Sequence, residues 1–165
     1  MVSLRTLRLL PGEEHAERRS LTLDPLLLGG QTYSVVGPVD ATLGVQRATS
    51  GFVLRLRFRA DVEGPCMRCL EDAAVAIDVD AREYHDLDAS GDDELVSEYV
   101  ADGVVQLEAW ARDAVALALP DPVLCRPDCA GLCPVCGKNL NREPHTHEAA
   151  TVDPRWAALE GMELE

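Results

Sequence analysis

Four closely spaced cysteines are the residues of this sequence whose type and spacing most directly suggest chemistry. They follow the pattern C-x3-C-x3-C-x2-C and are Cys125, Cys129, Cys133 and Cys136. Zinc takes four tetrahedral ligands in structural sites, and thiolates are its usual partners there. Pro134 stiffens the last turn, and Gly137 lets the chain bend so that backbone N–H groups point at sulfur, as in a zinc knuckle. The pattern predicts a structural zinc site with these four cysteines as primary ligands.

Two further pairs of side chains raise the number of candidate ligands to eight. They are Cys66, Cys69, His145 and His147. Eight ligands are enough for a second site of four, or for ligands shared with the first. The order along the chain does not assign pairs to sites, since the pair Cys133 and Cys136 fits with either of the other two cysteine pairs. Alternatively, the histidines lie in a solvated loop, and Cys66 and Cys69 form a redox dithiol or a buried turn.

Catalytic motifs do not accompany these ligands. A catalytic zinc keeps one coordination position open and has an acid or base nearby. Glu148 follows His147, but zinc deaminases place H-x-E before P-C-x-x-C, and here the order is reversed. Ser/His/Asp catalysis and phosphate loops have no supporting motif. The sequence therefore predicts a protein that is not an enzyme.

The charge of the chain is strongly acidic and unevenly distributed. The formal net charge is −14, of which residues 1–70 contribute +2 and residues 71–165 contribute −16. Duplex affinity depends on neutralising phosphates, so a nucleic-acid surface is expected only in the first half. Neither a secretory signal nor an apolar run of about 20 residues is visible, which predicts a cytoplasmic protein with reduced cysteines.

Two strands of a predicted hairpin hold the first cysteine pair at their turn. Residues 52–62 alternate apolar and polar side chains, and residues 73–84 alternate more weakly. One face of the first strand carries three arginines, and a fourth follows at the turn: Arg55, Arg57, Arg59 and Arg68. They are candidates for binding RNA phosphates, although a solvated strand face is the commoner meaning of such a stripe.

The remaining segments complete an α+β prediction. Residues 1–50 suggest short strands and loops, 85–98 a polar loop, and 104–119 a helix that packs on the sheet before Pro120. A short helix is expected after the Asp153-Pro154 start signal. The predicted fold is an antiparallel β-sheet domain with one packed helix over residues 1–119. A cysteine-rich zinc-knuckle segment, residues 120–165, is expected to pack on it.

Two segments together resemble the YceD family, the large ribosomal RNA subunit accumulation proteins. The first is Cys66-Met67-Arg68-Cys69-Leu70-Glu71, which is similar to the C-x-R-C-L motif of the family. The second runs from Leu117-Ala118-Leu119-Pro120 through the cysteines to Asn139-Leu140-Asn141, and the tail Asp153-Pro154-Arg155-Trp156 also fits. Relatives carry C-x-C where this chain has His145-Thr146-His147, and the exchange keeps zinc-ligand capacity.

The resemblance implies an accessory factor for accumulation or processing of large-subunit ribosomal RNA. Its expected partner is precursor ribosomal RNA or the assembling large subunit. The acidic half of the chain would contact a basic ribosomal protein or limit indiscriminate RNA binding. Two other functions compete with this one. One is a zinc-stabilised protein–protein adaptor that does not touch RNA, and the other is a thiol oxidoreductase working through Cys66 and Cys69.

Overall fold

Antiparallel β-structure dominates the molecule. The structure is a computed structural model that describes residues 2–87 and 95–147. Its strands are β1 (Val2–Ser3), β2 (Glu14–Leu21), β3 (Leu26–Leu28), β4 (Gln31–Val35), β5 (Val39–Arg47), β6 (Gly51–Pro65), β7 (Asp72–Asp86), β8 (Val100–Ala101) and β9 (Val104–Val105). The helix α1 is Leu107–Ala118. The larger sheet has the order β2-β5-β6-β4-β3, with β7 also paired to β6, and β1, β9 and β8 form a small second sheet.

The predicted α+β class is wrong. Among the described residues, nine strands stand against one helix of 12 residues, so the fold is mostly antiparallel β-sheet. The first 50 residues alone contribute five strands. Their signal was weak because β2 lies at the edge of the sheet, where seven of its eight residues are exposed or half-exposed. Charged edge strands lack the clear alternation of a strand with one buried face.

The predicted hairpin is confirmed and is longer than its sequence pattern. β6 and β7 each have 15 residues and pair in continuous register from Gly51 opposite Asp86 to Pro65 opposite Asp72. Every second residue of β6 from Phe52 to Val62 is apolar and buried, while the residues between them, Val53 included, are half-buried or exposed. Burying such a stripe contributes about 1.5–3 kcal/mol for each large side chain. β7 also takes in residues 85 and 86 of the predicted loop, and residues 88–94 lie outside the described part of the chain.

Tyr33 fixes the end of β6 that leads to the first cysteine. Tyr33 is 1% exposed, and its hydroxyl donates a hydrogen bond of 3.1 Å to the carbonyl oxygen of Pro65. The ring lies where a Cβ atom at Gly64 would be, so only glycine leaves room for it. Glycine in a strand often marks such a close approach. The contact holds the backbone immediately before Cys66.

The helix begins later than its sequence pattern suggests. Val104 and Val105 form strand β9, which follows a tight turn with positive φ at Asp102 and Gly103. Such a turn matches the twist of a two-residue hairpin. The buried side of α1 joins the same hydrophobic core as the large sheet, through Leu107, Trp110, Ala111, Ala114 and Val115. The predicted helix after Asp153 lies outside the described residues.

The chain divides into two compact units, Met1–Cys129 and Ala130–Glu165. The first contains every described strand and the helix α1. The described part of the second is a short irregular segment with one isolated bridge between Leu132 and Asn139. Among the described residues, no helix is both long and apolar enough to cross a membrane.

Candidate metal centres

The first unit gathers four thiols into one group, the four-thiol cluster. Its members are Cys66, Cys69, Cys125 and Cys129. Their sulfur atoms all lie within 4.8 Å of one another. The Sγ atoms of Cys66 and Cys129 are 3.7 Å apart, and those of Cys69 and Cys125 are 3.6 Å apart. None of the four is joined in a disulfide.

These separations fit thiolates that share one metal ion. A disulfide has its sulfur atoms about 2.05 Å apart, so neither pair is bonded. Sulfur ligands about 2.3 Å from a tetrahedral ion lie about 3.8 Å from each other, which is close to both measured distances. The donor set can therefore accept a metal ion with little rearrangement.

The loop between β6 and β7 presents the first two thiols. The N–H of Cys66 donates to the Glu71 carbonyl (2.7 Å), and the N–H of Leu70 donates to the Cys66 carbonyl (2.9 Å). Leu70 has a φ of 61°, which closes the turn in a conformation that non-glycine residues seldom adopt. Met67 donates its N–H to the Val123 carbonyl (2.9 Å), which joins the loop to the segment after α1.

Arg68, in the loop of the first cysteine pair, contacts the second pair of the four-thiol cluster. Its guanidinium Nη1 donates to the carbonyl oxygen of Cys129 at 3.0 Å, across 61 positions of sequence. Its backbone N–H points at the Cys66 sulfur, 3.5 Å away. Hydrogen bonds of this kind orient metal ligands without contacting the metal. The sequence makes Arg68 a candidate for RNA binding, and its position between two candidate ligands in C-x-R-C is the signal for a contact with the cluster.

Electrostatics within the four-thiol cluster favour a bound cation. Burial opposes ionisation of Cys66, but the N–H groups of Cys125, Arg68 and Cys69 lower the pKa of its thiol to about 6. Burial, followed by the neighbouring thiols, raises the pKa of Cys125 to about 12. One thiolate thus forms readily and makes the next unfavourable, because like charges repel in a buried site. A cation removes that repulsion.

The second unit gathers two thiols and two imidazoles, the thiol–imidazole cluster. Its members are Cys133, Cys136, His145 and His147, with ligand atoms within 4.8 Å of one another. The Cys136 Sγ lies 3.1 Å from the Nε2 of His145. The other ring nitrogen of His145, Nδ1, donates to the Glu143 carbonyl at 2.7 Å. This bond leaves the lone pair on Nε2, which is the arrangement of a metal-ligating histidine.

Local backbone bonds shape the knuckle around the two thiols of this second cluster. The N–H of Cys133 donates to the Lys138 carbonyl and the N–H of Gly137 to the Cys133 carbonyl, both at 2.8 Å. Gly137 has a φ of 73°, as the tight turn requires. The N–H groups of Cys136 and then Val135 lower the pKa of the Cys133 thiol to about 6, against the effect of burial. A thiolate, the form that binds metal, is therefore accessible near neutral pH.

Two asparagines that sequence reasoning did not single out as site residues support the thiol–imidazole cluster. The Oδ1 of Asn141 accepts the N–H of Ala130 at 2.8 Å. The Oδ1 of Asn139 accepts the N–H of Asn141 at 2.9 Å. Buried or partly buried loops need such side-chain partners for their backbone groups. Their place in the Asn139-Leu140-Asn141 part of the family resemblance was the signal in the sequence.

The model of the YceD family, described as large ribosomal RNA subunit accumulation protein, matches residues 54–163. This chain belongs to that family. Uncharacterized proteins of Mycobacterium tuberculosis and Mycobacterium bovis are each 39% identical to it over 129 residues, which is 75% of this chain and 61% of each relative. An uncharacterized protein of Mycobacterium leprae is 31% identical over 131 residues, covering 76% of this chain and 59% of the relative.

This YceD-family chain spans about three fifths of the length of the curated relatives it matches. No solved structure matches it. The family match extends over all eight clustered ligands, from Cys66 to His147.

The structure of this YceD-family chain groups the cysteines differently from the sequence pattern. The predicted primary site combined Cys125 and Cys129 with Cys133 and Cys136. The structure brings the first of these pairs together with Cys66 and Cys69, and the second together with the two histidines. Each of the eight candidate residues belongs to one of the two clusters, with four in each cluster. The two-residue spacing of a knuckle predicts which cysteines are neighbours, but not which other pair completes their site.

The arginine stripe lies on the exposed face of β6, as predicted, and acidic side chains accompany it. Arg55 donates from Nε to Asp80 at 2.7 Å, and its hydrogen bond lowers the pKa of that carboxyl group. Arg57 lies opposite Asp80 in the register, and Arg59 lies opposite Asp78. The structure therefore places three of the four predicted RNA-binding residues together, on a face of mixed charge.

Proposed function

We propose that this YceD-family protein is a non-enzymatic accessory factor for the accumulation of large-subunit ribosomal RNA, stabilised by zinc and acting in the cytoplasm. The observation that carries the proposal is the family match, which covers two thirds of the chain. The family is described by that role. The expected partner is precursor ribosomal RNA or the assembling large subunit.

Zinc is the metal that the donor sets favour. Four thiolates in one cluster and two thiolates with two imidazoles in the other are both ligand sets of structural zinc. Bound zinc would supply cross-links between segments. Each cluster offers four protein ligands, so a tetrahedral ion has no open position for a substrate. This supports a structural role over a catalytic one.

Thiol exchange is poorly supported by the surroundings of Cys66 and Cys69. Both are buried, and each has a sulfur atom from the later cysteine pair within 3.7 Å. A redox-active cysteine needs an accessible thiolate that a substrate disulfide can reach. The oxidoreductase alternative therefore has little support.

The exposed face of β6 is the surface that we propose for the ribosomal partner. Arg57 and Arg59 point outward there, beside the ion pair of Arg55 and Asp80. Arginines bind phosphate oxygens, while the nearby carboxylates and the net charge of −14 oppose indiscriminate binding to RNA. The same mixed charge suits contact with a basic ribosomal protein.

A second candidate, a zinc-stabilised protein–protein adaptor without RNA contact, follows from that mixed charge. Arg55 is paired with Asp80, and Arg68 donates to the Cys129 carbonyl, so two of the four arginines have intramolecular partners. Fewer phosphate contacts would then be available than the sequence pattern suggested.

Deletion of the gene, followed by complementation, tests the leading function. The proposal expects a lower ratio of large-subunit to small-subunit ribosomal RNA after deletion, restored by the wild-type chain. Arg57→Glu/Arg59→Glu should lose crosslinking to ribosomal RNA, whereas Arg18→Glu on edge strand β2 should keep it. No crosslinking of the wild-type chain to ribosomal RNA, together with accumulation that the double variant still restores, would favour the adaptor. An unchanged RNA ratio after deletion would reject both the leading function and its site.

A further inference from the structure

The four-thiol and thiol–imidazole clusters differ in how deeply their ligands are buried. Cys66, Cys69 and Cys129 are 0%, 4% and 1% exposed. Cys125, the fourth ligand of that cluster, is half-exposed. In the thiol–imidazole cluster Cys133 is buried, whereas Cys136 and His147 are exposed and His145 is half-exposed. A chelator or water molecule can approach three of the four ligands of the second cluster directly. In the first cluster it reaches the three buried thiols only after the surrounding residues open.

The two clusters also differ in what their ligands join. The ligands of the four-thiol cluster come from the β6–β7 loop and from the segment after α1, with 63 positions between Cys66 and Cys129. Three of those four thiols are members of the main hydrophobic core. The ligands of the thiol–imidazole cluster all fall within residues 133–147, and no described residue of that range belongs to the core. Metal at the first cluster is thus linked to folding of the sheet unit, whereas metal at the second is linked to a short local segment.

The ligand types also indicate that the two clusters differ in their affinity for zinc. Four thiolates carry more negative charge toward zinc than two thiolates with two neutral imidazoles, and soft thiolates are preferred zinc ligands. The four-thiol cluster is therefore expected to hold its ion more tightly as well as more deeply.

We propose that the chain binds two zinc ions and that the ion of the thiol–imidazole cluster exchanges without unfolding of the sheet unit. The protein then has two folded forms, one with both ions and one with the ion of the four-thiol cluster alone. Their ratio follows the free zinc concentration, since a ligand that binds one form shifts the population toward it. The inference rests on the proposed use of zinc and not on the ribosomal role.

The test is zinc release from the zinc-loaded full chain into an excess of a chelating colorimetric zinc indicator. The absorbance of the indicator follows the metal, and far-ultraviolet circular dichroism follows the sheet. We expect two zinc ions per chain and two phases of equal amplitude. The first phase should be at least about tenfold faster, because release from an exposed site needs no opening of the core. The β-sheet signal should stay constant through the first phase and change only with the second.

Variants assign the phases. His145→Ala/His147→Ala should contain one zinc and lose the fast phase while keeping the slow one. His15→Asn, which changes a histidine on β2 outside both clusters, should keep two ions and both phases. A single zinc per wild-type chain, a single release phase, or loss of sheet signal during the fast phase would overturn the inference.

The complementation experiment separates this inference from the ribosomal role. If zinc leaves in two phases but deletion does not change ribosomal RNA, the two-site inference stands and the proposed function fails. If ribosomal RNA depends on the protein but only one zinc is present, the reverse holds.

Discussion

The sulfur atoms of Cys66 and Cys129 lie 3.7 Å apart, although 63 positions separate the two residues along the chain. The hairpin register of β6 and β7 brings Cys66 to the end of the sheet, and the segment after α1 returns Cys129 to the same place. A metal ion between them would close a long loop of the unfolded chain. Closing long loops costs conformational entropy, so the cross-link is expected to stabilise the sheet unit considerably.

Loss of a ligand from the four-thiol cluster is therefore expected to destabilise the protein much more than loss of one from the thiol–imidazole cluster. Cys129→Ser should lower the free energy of unfolding of the sheet unit by about 3 kcal/mol or more, the range of a lost metal site. Cys136→Ser should change it by less than about 0.5 kcal/mol, since Cys136 lies outside the core. Urea unfolding followed by far-ultraviolet circular dichroism of the β-sheet measures both. Equal losses would contradict the separation of the two clusters.

Arg68 is expected to stabilise the four-thiol cluster and not only to offer a surface charge. Arg68→Gln removes the hydrogen bond from its guanidinium to the carbonyl oxygen of Cys129. A hydrogen bond to a charged group contributes about 1.5–3 kcal/mol, so unfolding of the zinc-loaded protein should become easier by about that amount. The matched control is Arg57→Gln on the exposed face of β6, which should stay within about 0.5 kcal/mol of the wild type. Equal stability of the two variants would remove Arg68 from the site.

The approach of Tyr33 to Gly64 predicts an unequal effect of two glycine substitutions. Gly64→Ala puts a methyl group into the space of the Tyr33 ring and should cost about 1–3 kcal/mol, as overpacking does. At Gly44, also in a strand, the nearest atom to a new methyl group is the carboxylate oxygen of Glu14, at 3.2 Å, and that side chain can move. Gly44→Ala should therefore be neutral or slightly stabilising. Thermal unfolding of both variants distinguishes them, and a neutral Gly64→Ala would contradict the described contact.

How much of the fold and of the two clusters could be predicted from the sequence depended on how far apart along the chain the interacting residues lie. The β6–β7 hairpin was predictable because the alternation from Phe52 to Val62 is local and strong. Edge strand β2 was not, because its sequence, E-H-A-E-R-R-S-L, has too few apolar residues to show an alternating pattern. Helix α1 was predicted, but it begins three residues later than predicted, at Leu107. The reason is the tight turn at Asp102 and Gly103, after which Val104 and Val105 form a strand.

The ligands themselves were predictable, and their grouping was not. Each pair of ligands has a short spacing that sequence reasoning detects. Which pairs share an ion depends on contacts between distant segments, such as that of Met67 with Val123, and these follow from the packing of the whole sheet unit. The role of Arg68 was missed for the same reason, since its partner Cys129 is 61 positions away.

Protonation of Asp80 gives a pH prediction. The hydrogen bond from Arg55 is the main reason that the pKa of the Asp80 carboxyl group lies below its ordinary value. The pair therefore stabilises the folded chain at pH values above the ordinary aspartate pKa, and this stabilisation is lost as the pH falls through the lower, folded pKa. Arg55→Gln should raise the pKa of Asp80 measured by NMR of its carboxyl carbon, whereas Arg59→Gln should leave it nearly unchanged. An equal response to both substitutions would contradict the described pairing.

Two zinc sites, one with four sulfur ligands and one with two sulfur and two nitrogen ligands, have a distinct X-ray absorption signature. Zinc X-ray absorption of the purified full-length protein, with its zinc content measured on the same sample, tests for them most directly. Two separate sites should give two zinc ions per chain and an average shell of about three sulfur atoms at about 2.3 Å and one nitrogen atom at about 2.0 Å. His145→Ala/His147→Ala should leave one ion with a shell of sulfur alone. One zinc ion in the wild-type chain, with a sulfur-only shell that the histidine substitutions do not change, would contradict two separate sites.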